Sequence, residues 1–525
     1  MTRKSKHCVV WLVSLALLIP MGLSGQEEGD TYEVGTALPP VDPGRTLVEI
    51  TVEDAIERAL KMNLDIQTAR LNPQIQGYSL QAAEAAFSPT LSSTFGYNNS
   101  TNQSTSQLDG GLQTLTQRQT FNATLAKSMP WYGGRLSANF NNNRTETNNA
   151  FSTLNPSFRS TLNFNYTQPL LAGRKTDNQR TALETQVIQG QISEIQLSSQ
   201  IAVITNQIRV AYWGLRAAIE LIEIQRRSLA QAQELLAQNA IRVQLGTMSD
   251  LQVIQAEAQV ASAEQSLLAA EIGWRNQELI FKRLLVSGAA DPLLTQTLVP
   301  TGLPVLVQQA IDIDAAVSTA LEQRADLRQT RYQREMSELD LAVTSNNTRP
   351  DLDLTAAYSL QGTAGDLFER SGFGGDGVLV EQGGYLDGLN SIWGRDAPTW
   401  SLTLNFSYPI GNRGAKADVR RARLQMEQTD LALRNQELGI VLEVTNAGLA
   451  VNDMFLLLQA AQRSREVSER AAEVEVTRFG VGASTNYEVA LAQDQLTQAR
   501  LSELRTMIDY VNAIAEFELV QYVGR

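Results

Sequence analysis

Two stretches of the chain carry apolar residues at a constant spacing of seven over an unusual length. The first runs from about Asn178 to Arg242 without a proline, and its apolar row consists of Ile201, Ile208, Leu215, Ile222, Leu229 and Leu236. The second runs from about Lys416 to Phe479 and places Leu442, Leu449 and Leu456 at the same spacing. Heptad spacing predicts helices that pack side by side along a narrow seam. At 1.5 Å per residue the first helix would be roughly 100 Å long.

Each long helix is followed by a shorter helical pattern. These patterns run from about Asp250 to Leu285 and from Tyr487 to Val520. The short turns before them predict that each shorter helix runs back along the longer one, so that the chain forms two antiparallel hairpins.

Other stretches alternate apolar and polar residues with a period of two. Leu162, Phe164 and Tyr166 alternate with polar residues, and so do the apolar positions from Trp400 to Tyr408. This alternation predicts strands with one apolar and one polar face. It fits a half-exposed sheet of a soluble sandwich, or a membrane barrel with its apolar face toward lipid.

The chain is internally duplicated. The segment TVEDAIERALKMNLDIQTAR, from Thr51, reappears as DIDAAVSTALEQRADLRQTR, from Asp312, at an offset of 261. The alternating strands repeat at an offset of 240, and the hairpin turns repeat at 236, which brings Gly246 onto Gly482. A repeat of this length predicts a pseudo-symmetric architecture.

The two copies differ in the strand region. Pro89 to Pro169 spans 80 positions, and Pro350 to Pro409 spans 59, so the first insert is 21 residues longer. Alternating residues within 119–145 predict an additional strand pair in the first copy. In the second copy we expect a long glycine-rich loop, from about Thr363 to Pro398.

The N-terminus predicts export. A basic start, an apolar run from Val9 to Ile19 and small residues up to Gly25 are typical of a signal peptide over residues 1–25. A polar, proline-rich segment over 26–47 predicts a flexible leader. Cleavage would remove His7 and Cys8, the only histidine and the only cysteine of the chain.

Composition argues against several function classes. Without histidine or cysteine, the mature chain could not use an imidazole or a thiol in catalysis, and it would lack the usual zinc ligands. Neither a GxSxG motif nor a phosphate-binding loop occurs. The net charge of −13 disfavours nucleic acid as a partner. We therefore predict no enzyme activity, no catalytic residue, no cofactor and no metal site.

The hairpin turns are the most distinctive short motifs. Their sequences are RVQLGTMSDLQV, from Arg242, and RFGVGASTNYEV, from Arg478. Glycine after a helix, arginine in the last turn and Ser or Thr before the next helix are ordinary capping residues. Turn chemistry therefore explains both segments, although two equally small tips would also suit a docking protein.

Taken in their order along the chain, these segments resemble the TolC family of outer-membrane efflux proteins. The resemblance covers nearly all of the chain after the leader and rests on VEDAIERALKMN, AAFSPTL, TQPLLAGR, SYPIGNRGAKADVRRAR and RFGVGASTNYEV. It implies a mainly α-helical fold with a membrane β-barrel: a homotrimer whose helical hairpins form a periplasmic tunnel, and whose strands, usually four per protomer, share one barrel. Residues 48–290 and 291–525 would be its two repeats. Six strands per protomer, and hence a wider barrel, are our hypothesis for this chain.

The resemblance also implies partners. A periplasmic adaptor protein would dock on the tips and link them to an inner-membrane transporter, and the strands would contact outer-membrane lipid. Glu488 is a candidate acid at the tunnel aperture or an ordinary surface residue, and Leu491 stands where a second acid might be expected. By position, the docking residues are Arg242, Leu245, Gly246 and Thr247 in the first tip and Arg478, Val481, Gly482 and Ala483 in the second.

The expected function is a passive outer-membrane exit duct for small molecules in a tripartite efflux system. Two alternatives remain: the exit duct of a type I protein secretion system, and a periplasmic coiled-coil scaffold with a small soluble β-domain.

Overall fold

The computed structural model describes residues 37–521 except 41–43, 105–110, 150, 303, 305, 371–376 and 396. The predicted signal peptide and the first part of the leader lie outside the described residues. Within the described part of the leader, Ala37 and Pro39 are buried and residues 44–47 are exposed, so its flexibility stays a prediction. Ala37 is buried in the first hydrophobic core, and Leu47 already begins a strand.

The regular elements follow the duplicated order that the sequence predicts. The strands are β1 (Leu47–Ile50), β2 (Thr90–Gln103), β3 (Gln113–Ser128), β4 (Arg135–Thr147), β5 (Leu154–Pro169), β6 (Thr297–Pro300), β7 (Asp351–Arg370), β8 (Gly377–Glu381) and β9 (Pro398–Ser407). The helices are α1 (Val52–Met62), α2 (Leu64–Ala85), α3 (Asn178–Gln244), α4 (Asp250–Leu285), α5 (Ile313–Gln323), α6 (Ala325–Asn346), α7 (Tyr385–Gly394), α8 (Arg413–Gly480) and α9 (Asn486–Gln521).

Helix boundaries repeat at the predicted offsets, with one feature that the sequence pattern concealed. Helices α1 and α5 begin 261 residues apart, and α4 and α9 have the same length of 36 residues. The helical pattern over 52–86 is broken at Asn63, whose side chain accepts hydrogen bonds from the N–H groups of Asp65 and Ile66. Its amide also donates to the Leu284 carbonyl at 2.9 Å. Asn63 therefore ends α1, caps α2 and ties both to the first hairpin.

The two hairpins pack side by side. Helix α3 packs on α4, α8 packs on α9, and α3 contacts α9 at the centre, so that α4 and α8 lie on opposite sides. Each hairpin has its own apolar core. Trp274 and Phe281 are fully buried in the first core, and Tyr510 and Phe517, 236 positions later, are buried in the second. A short parallel pairing of β1 with β6 joins the start of the described chain to the connection between the copies.

Six long strands form one antiparallel sheet in the order β2-β3-β4-β5-β7-β9. Strands β3 and β4 are the additional pair that the longer first insert predicted, and they pair with β2 and β5 along most of their length. The prediction of a glycine-rich loop over 363–398 is wrong, because this range contains regular secondary structure. Strand β7 continues to Arg370, β8 pairs with it, and α7 packs on β7 and β5.

Candidate functional site

One face of the sheet is apolar. Strand pairing aligns Ala138, Phe164, Tyr358 and Trp400 in a row across four neighbouring strands. On the same face, in strands β2 and β3, Phe95 and Phe121 lie opposite each other with ring centroids 4.7 Å apart. Many of these side chains are exposed, Trp400 to 77%. A contiguous exposed apolar surface of this kind marks contact with a membrane or a partner protein.

The opposite face is polar. The row beside the apolar one consists of Asn139, Asn163, Ser359 and Thr399. The Ser359 hydroxyl donates to Asn163 Oδ1 at 2.5 Å, so part of the row is linked by hydrogen bonds. Strict alternation between these two faces is the pattern of a strand between lipid and an aqueous lumen.

The apolar face is long enough for a membrane-spanning strand. On β7 it extends from Leu352 to Leu360, which is about 26 Å along the strand at about 3.3 Å per residue. Exposed aromatic residues stand at both ends: Tyr358 and Trp400 away from the hairpins, and Trp131 in the β3–β4 turn near them. Aromatic belts at the two interfaces are typical of membrane proteins.

The first hairpin tip is a helix-ending turn of the Schellman type. The N–H of Gly246 donates to the Val243 carbonyl at 2.9 Å, and the N–H of Thr247 donates to the Arg242 carbonyl at 2.9 Å. Gly246 has a φ of +73°, which favours glycine, and a Cβ placed there would meet nothing within 4 Å. Leu245, just before it, is exposed.

The second tip repeats this geometry. The N–H of Gly482 donates to the Phe479 carbonyl at 3.1 Å, and the N–H of Ala483 donates to the Arg478 carbonyl at 2.8 Å. Gly482 has a φ of +80° and equally open surroundings, and Val481 is exposed. The eight residues predicted for docking are therefore residues of two matching Schellman turns.

The two arginines of the tips have different contacts. The Arg242 guanidinium lies 4.0 Å from the ring centroid of Phe479 and donates to the Phe479 carbonyl at 3.0 Å. Arg478 instead pairs with Glu475 of its own helix at 3.0 Å. Arg242 therefore joins the two tips, whereas Arg478 remains on the outside of its own tip. The docking prediction did not include Phe479, although an aromatic residue next to Arg478 was a visible signal.

A buried contact between the hairpins lies directly behind the tips. Asn239 donates through Nδ2 to Asn486 Oδ1 at 2.9 Å, and both residues are buried. Next to them Leu235, Phe479 and Val489 form a small apolar cluster. The tips are thus held together by one amide pair, one stacked arginine and a small core.

Glu488 has a defined structural role at the start of α9. Its carboxylate accepts a hydrogen bond from the Thr485 N–H at 3.1 Å, and its own N–H donates to the Thr485 hydroxyl at 3.3 Å. This reciprocal pattern is a capping box, and the Thr-x-x-Glu sequence indicates it. The bond from the Thr485 N–H and that from the Ser484 hydroxyl lower the pKa of Glu488. Leu491, one turn later, is partly exposed.

Within the described ranges, no group of three or more His, Cys, Asp and Glu side chains has an arrangement that could hold a metal ion.

Comparison with known proteins identifies the family. The model of the outer membrane efflux protein family matches residues 134–285 and 316–525. A search of curated protein sequences gives no match. The first segment matched by the family model begins at the start of β4, so β2 and β3 lie outside the matched residues.

Solved outer-membrane channels have a similar fold. The CmeC outer membrane channel of Campylobacter jejuni is 17% identical, with a TM-score of 0.63 over 90% of this chain and 86% of that chain. VceC of Vibrio cholerae is 14% identical, with a TM-score of 0.64 over 90% and 96%. A membrane protein of Pseudomonas aeruginosa is 15% identical, with a TM-score of 0.66 over 94% and 97%.

The fold is therefore TolC-like, with duplicated helical hairpins and a barrel-forming sheet. The family consists of outer-membrane transport proteins rather than enzymes. The family model covers more than half of the sequence, and this chain belongs to the outer membrane efflux protein family.

Proposed function

We propose that the protein is the passive exit duct of a tripartite efflux system, conducting small molecules across the outer membrane. The observation that carries this proposal is the antiparallel sheet of six long strands, which has one apolar and one polar face and continues directly into two hairpins with matching tips. The sheet would line an aqueous pore, and the hairpins would extend it through the periplasm. The channel itself supplies no energy, so the direction of transport would come from its partners.

The two edge strands of the sheet support closure of a barrel by a homotrimer, which the family resemblance also implies. Nearly every residue of β2 is exposed, as is every residue of β9, and these are the two edges of the long-stranded sheet. Their directions are opposite, so β9 of one copy could pair antiparallel with β2 of the next. Three copies with six long strands each would give an even, fully antiparallel barrel of 18 strands.

The helices have exposed apolar rows on the same two sides. Helix α8 contains a stretch with a mean hydropathy of 1.4, which by composition and length could span a membrane. Only 22% of that stretch is buried within this chain, so most of its apolar residues are available for contact with another chain. Its exposed leucines include Leu442, Leu449 and Leu456, at heptad spacing. Helix α4, on the opposite side, exposes Leu268, Ile272 and Leu279. We assign both rows to contacts between copies in the ring.

Disulfide trapping tests this closure. With Cys8 replaced by Ser, the chain has no cysteine, and Thr403→Cys on β9 can be combined with Ser92→Cys or Thr94→Cys on β2. All three positions lie on the polar face. We expect oxidation to give a covalent trimer on denaturing gels. Products that stop at a dimer would contradict ring closure, because a two-fold interface cannot extend further. Thr403→Cys with Asn141→Cys, in the middle of the sheet, is the control that should remain uncrosslinked.

Purified trimers should also conduct ions in planar lipid bilayers. Absence of conductance from intact trimers would contradict the channel function and would favour a scaffold.

The tips are the proposed docking site of a periplasmic adaptor, through which an inner-membrane transporter would be reached. Both glycines are open to solvent, and exposed apolar residues, Leu245 and Val481, precede them. A small, open turn lets another chain approach the backbone closely, and the neighbouring exposed leucine and valine provide apolar contact. The near-identical geometry of the two tips would give six similar docking positions around a trimer.

Matched substitutions at Gly482 separate docking from folding. Gly482→Ala and Gly482→Glu impose the same positive-φ strain, about 1–2 kcal/mol, because neither Cβ meets a neighbour. Only Glu adds bulk and charge on the outside of the tip. We expect cells with Gly482→Glu to retain a fluorescent efflux dye at least ten-fold more than cells with Gly482→Ala, with trimers intact in both. Equal export by the two variants would contradict docking at this tip.

A further inference from the structure

Helix α7 lies on the apolar face of the sheet. Strand pairing places Asn142, Ser160 and Gly362 in one row, on the same face as Phe164 and Tyr358. Contacts of α7 with Gly362 and Asn142 put the helix over this row. On β7, Gly362 comes two residues after Leu360, at the end of the sheet away from the hairpins. The helix therefore lies just beyond the apolar band, on its lipid-facing side.

Close backbone contact fixes α7 to the sheet. A Cβ on Gly362 would lie 1.9 Å from the Gly388 carbonyl oxygen, so only glycine permits this approach. Ile392 is 2% exposed against the same strand. Tyr385 forms a hydrogen bond from its hydroxyl to Asn142 Oδ1 at 3.1 Å, and its ring meets Phe158 edge-on with centroids 6.3 Å apart. Helix α7 is therefore firmly packed on the sheet.

The exposed surface of α7 has an apolar side beside the polar Asp387 and Asn390. Leu386 is 70% exposed and Trp393 is 79% exposed, and their seven-residue separation places them on one side of the helix. Neither residue contributes to the packing described above, which uses Gly388 and Ile392. A short helix that packs on protein and exposes Trp and Leu next to polar residues is suited to the headgroup–acyl boundary.

A groove runs beside α7 on the same face. It has a volume of about 700 Å³ and is lined by the rings of Phe95, Phe121, Phe158 and Tyr385, with Arg144 at its polar end. Arg144 lies 6.0 Å from the Phe158 ring and pairs with Glu146 at 2.6 Å, so the end of the groove has little net charge. The groove lies on the same face of the sheet as the apolar band and opens on that face.

We propose that α7 is an interfacial helix in the outer leaflet and that the groove beside it holds one acyl chain of an outer-leaflet lipid. The inference rests on the membrane orientation under Proposed function. A lipid is the occupant because the groove continues the lipid-facing band, and because aromatic rings line it beside the polar Gln119 and Asn142 while the charge of Arg144 is paired at its end. A second copy of the chain would pair edge to edge with β2 and β9, in the plane of the sheet, whereas α7 and the groove lie over its face.

Spin labels on single cysteines test the position of α7. In the Cys8→Ser background, the labelled variants are Leu386→Cys, Trp393→Cys, Trp400→Cys in the apolar band and Leu245→Cys at a tip. Trimers are placed in phosphatidylethanolamine–phosphatidylglycerol vesicles, and collisions with oxygen and with a water-soluble nickel chelate are compared. We expect labels at 386 and 393 to favour oxygen, as the label at 400 does, and the label at 245 to favour the chelate.

The outcomes separate this inference from the proposed function. Chelate access at 386 and 393 with lipid access at 400 would overturn the position of α7 and leave the membrane band intact. Chelate access at 400 as well would overturn the orientation of the sheet and the inference together.

Native mass spectrometry tests the groove. Gln119 lines the groove, and Gln117 lies on the same strand and face but outside it. Trimers carrying Gln119→Trp, reconstituted with phosphatidylglycerol and then extracted, should retain one lipid fewer per chain than trimers carrying Gln117→Trp. Equal lipid counts in the two variants would overturn the acyl-chain site.

Discussion

The two copies match closely at the hairpin tips and differ most in the sheet. Helices α3 and α8 have 67 and 68 residues, α4 and α9 have 36 each, and both tips contain the same Schellman turn. In the sheet, the first copy contributes four long strands and the second contributes two, with α7 in addition. The duplicated chain has therefore diverged mainly at one end.

Geometry explains why divergence is easier in the sheet. A strand hairpin such as β3–β4 adds two antiparallel strands and reverses the chain twice. The strand that follows therefore keeps its direction, and its apolar residues stay on the same face of the sheet. An insertion within α3 would rotate its apolar row away from α4 and α9, because one residue turns a helix by about 100°. The long helices and the tips must also keep their alignment along each other, whereas the end of the sheet away from the hairpins is not constrained by that helix packing.

Deleting the additional strand pair is the largest test of this difference. Residues 104–153 can be replaced by an Asn-Gly turn, which joins β2 directly to β5 as a two-residue hairpin. We expect a trimer with four long strands per chain and intact tips. Because barrel diameter grows roughly linearly with strand number, electron microscopy should show the barrel narrowed by about one third. An unchanged diameter would mean that β3 and β4 are not part of the wall.

The sequence predicted those features that depend on local periodicity. The long rods, their turns and the additional strand pair all followed from repeats of seven or two residues and from capping residues. The break at Asn63 was missed because one capping side chain, stabilised by the distant Leu284 carbonyl, interrupts a continuous helical pattern. Helix α7 was missed because glycines dominate its surroundings, although Gly362 and Gly388 are there to permit close packing.

The candidate site was predicted in its positions but not in its contacts. Gly246 and Gly482 could be identified from their place after each long helix. Nothing local indicated that Arg242 would stack on Phe479, since that contact joins residues 237 positions apart in the sequence. The asymmetry between the two arginines is therefore information that only the packed hairpins provide.

Replacing each tip arginine in turn should change the stability of the contact between the tips unequally. The expected effect is smaller than that of the strand deletion. Arg242→Ala removes a stacked cation and a charged hydrogen bond between the tips, which together stabilise their contact by about 1–3 kcal/mol. Arg478→Ala removes an ion pair with Glu475 and a hydrogen bond to the Ala483 carbonyl, both within one tip and from a half-exposed side chain, which contribute about 0.2–1 kcal/mol. Hydrogen exchange of residues 240–250 and 478–490 should rise strongly in the first variant and little in the second. Similar exchange in both would mean that the Arg242–Phe479 contact does not hold the tips together.

The smallest expected difference between the tips is their response to acid. In the second tip Glu488 forms a capping box with Thr485, whereas the first tip has the neutral Gln252 at the equivalent position and is capped by the Ser249 hydroxyl. Hydrogen bonds from the Thr485 N–H and the Ser484 hydroxyl lower the pKa of Glu488. A carboxyl group whose pKa is lowered on folding stabilises the fold above its unfolded pKa of about 4.3, and that contribution is lost as pH falls through the folded pKa. Between pH 6 and pH 3.5 we therefore expect amide protection, corrected for intrinsic exchange, to fall at residues 485–489 more than at 249–253. Glu488→Gln should abolish this difference in pH response, and equal loss at both tips in the unaltered protein would show that the capping box is not its source.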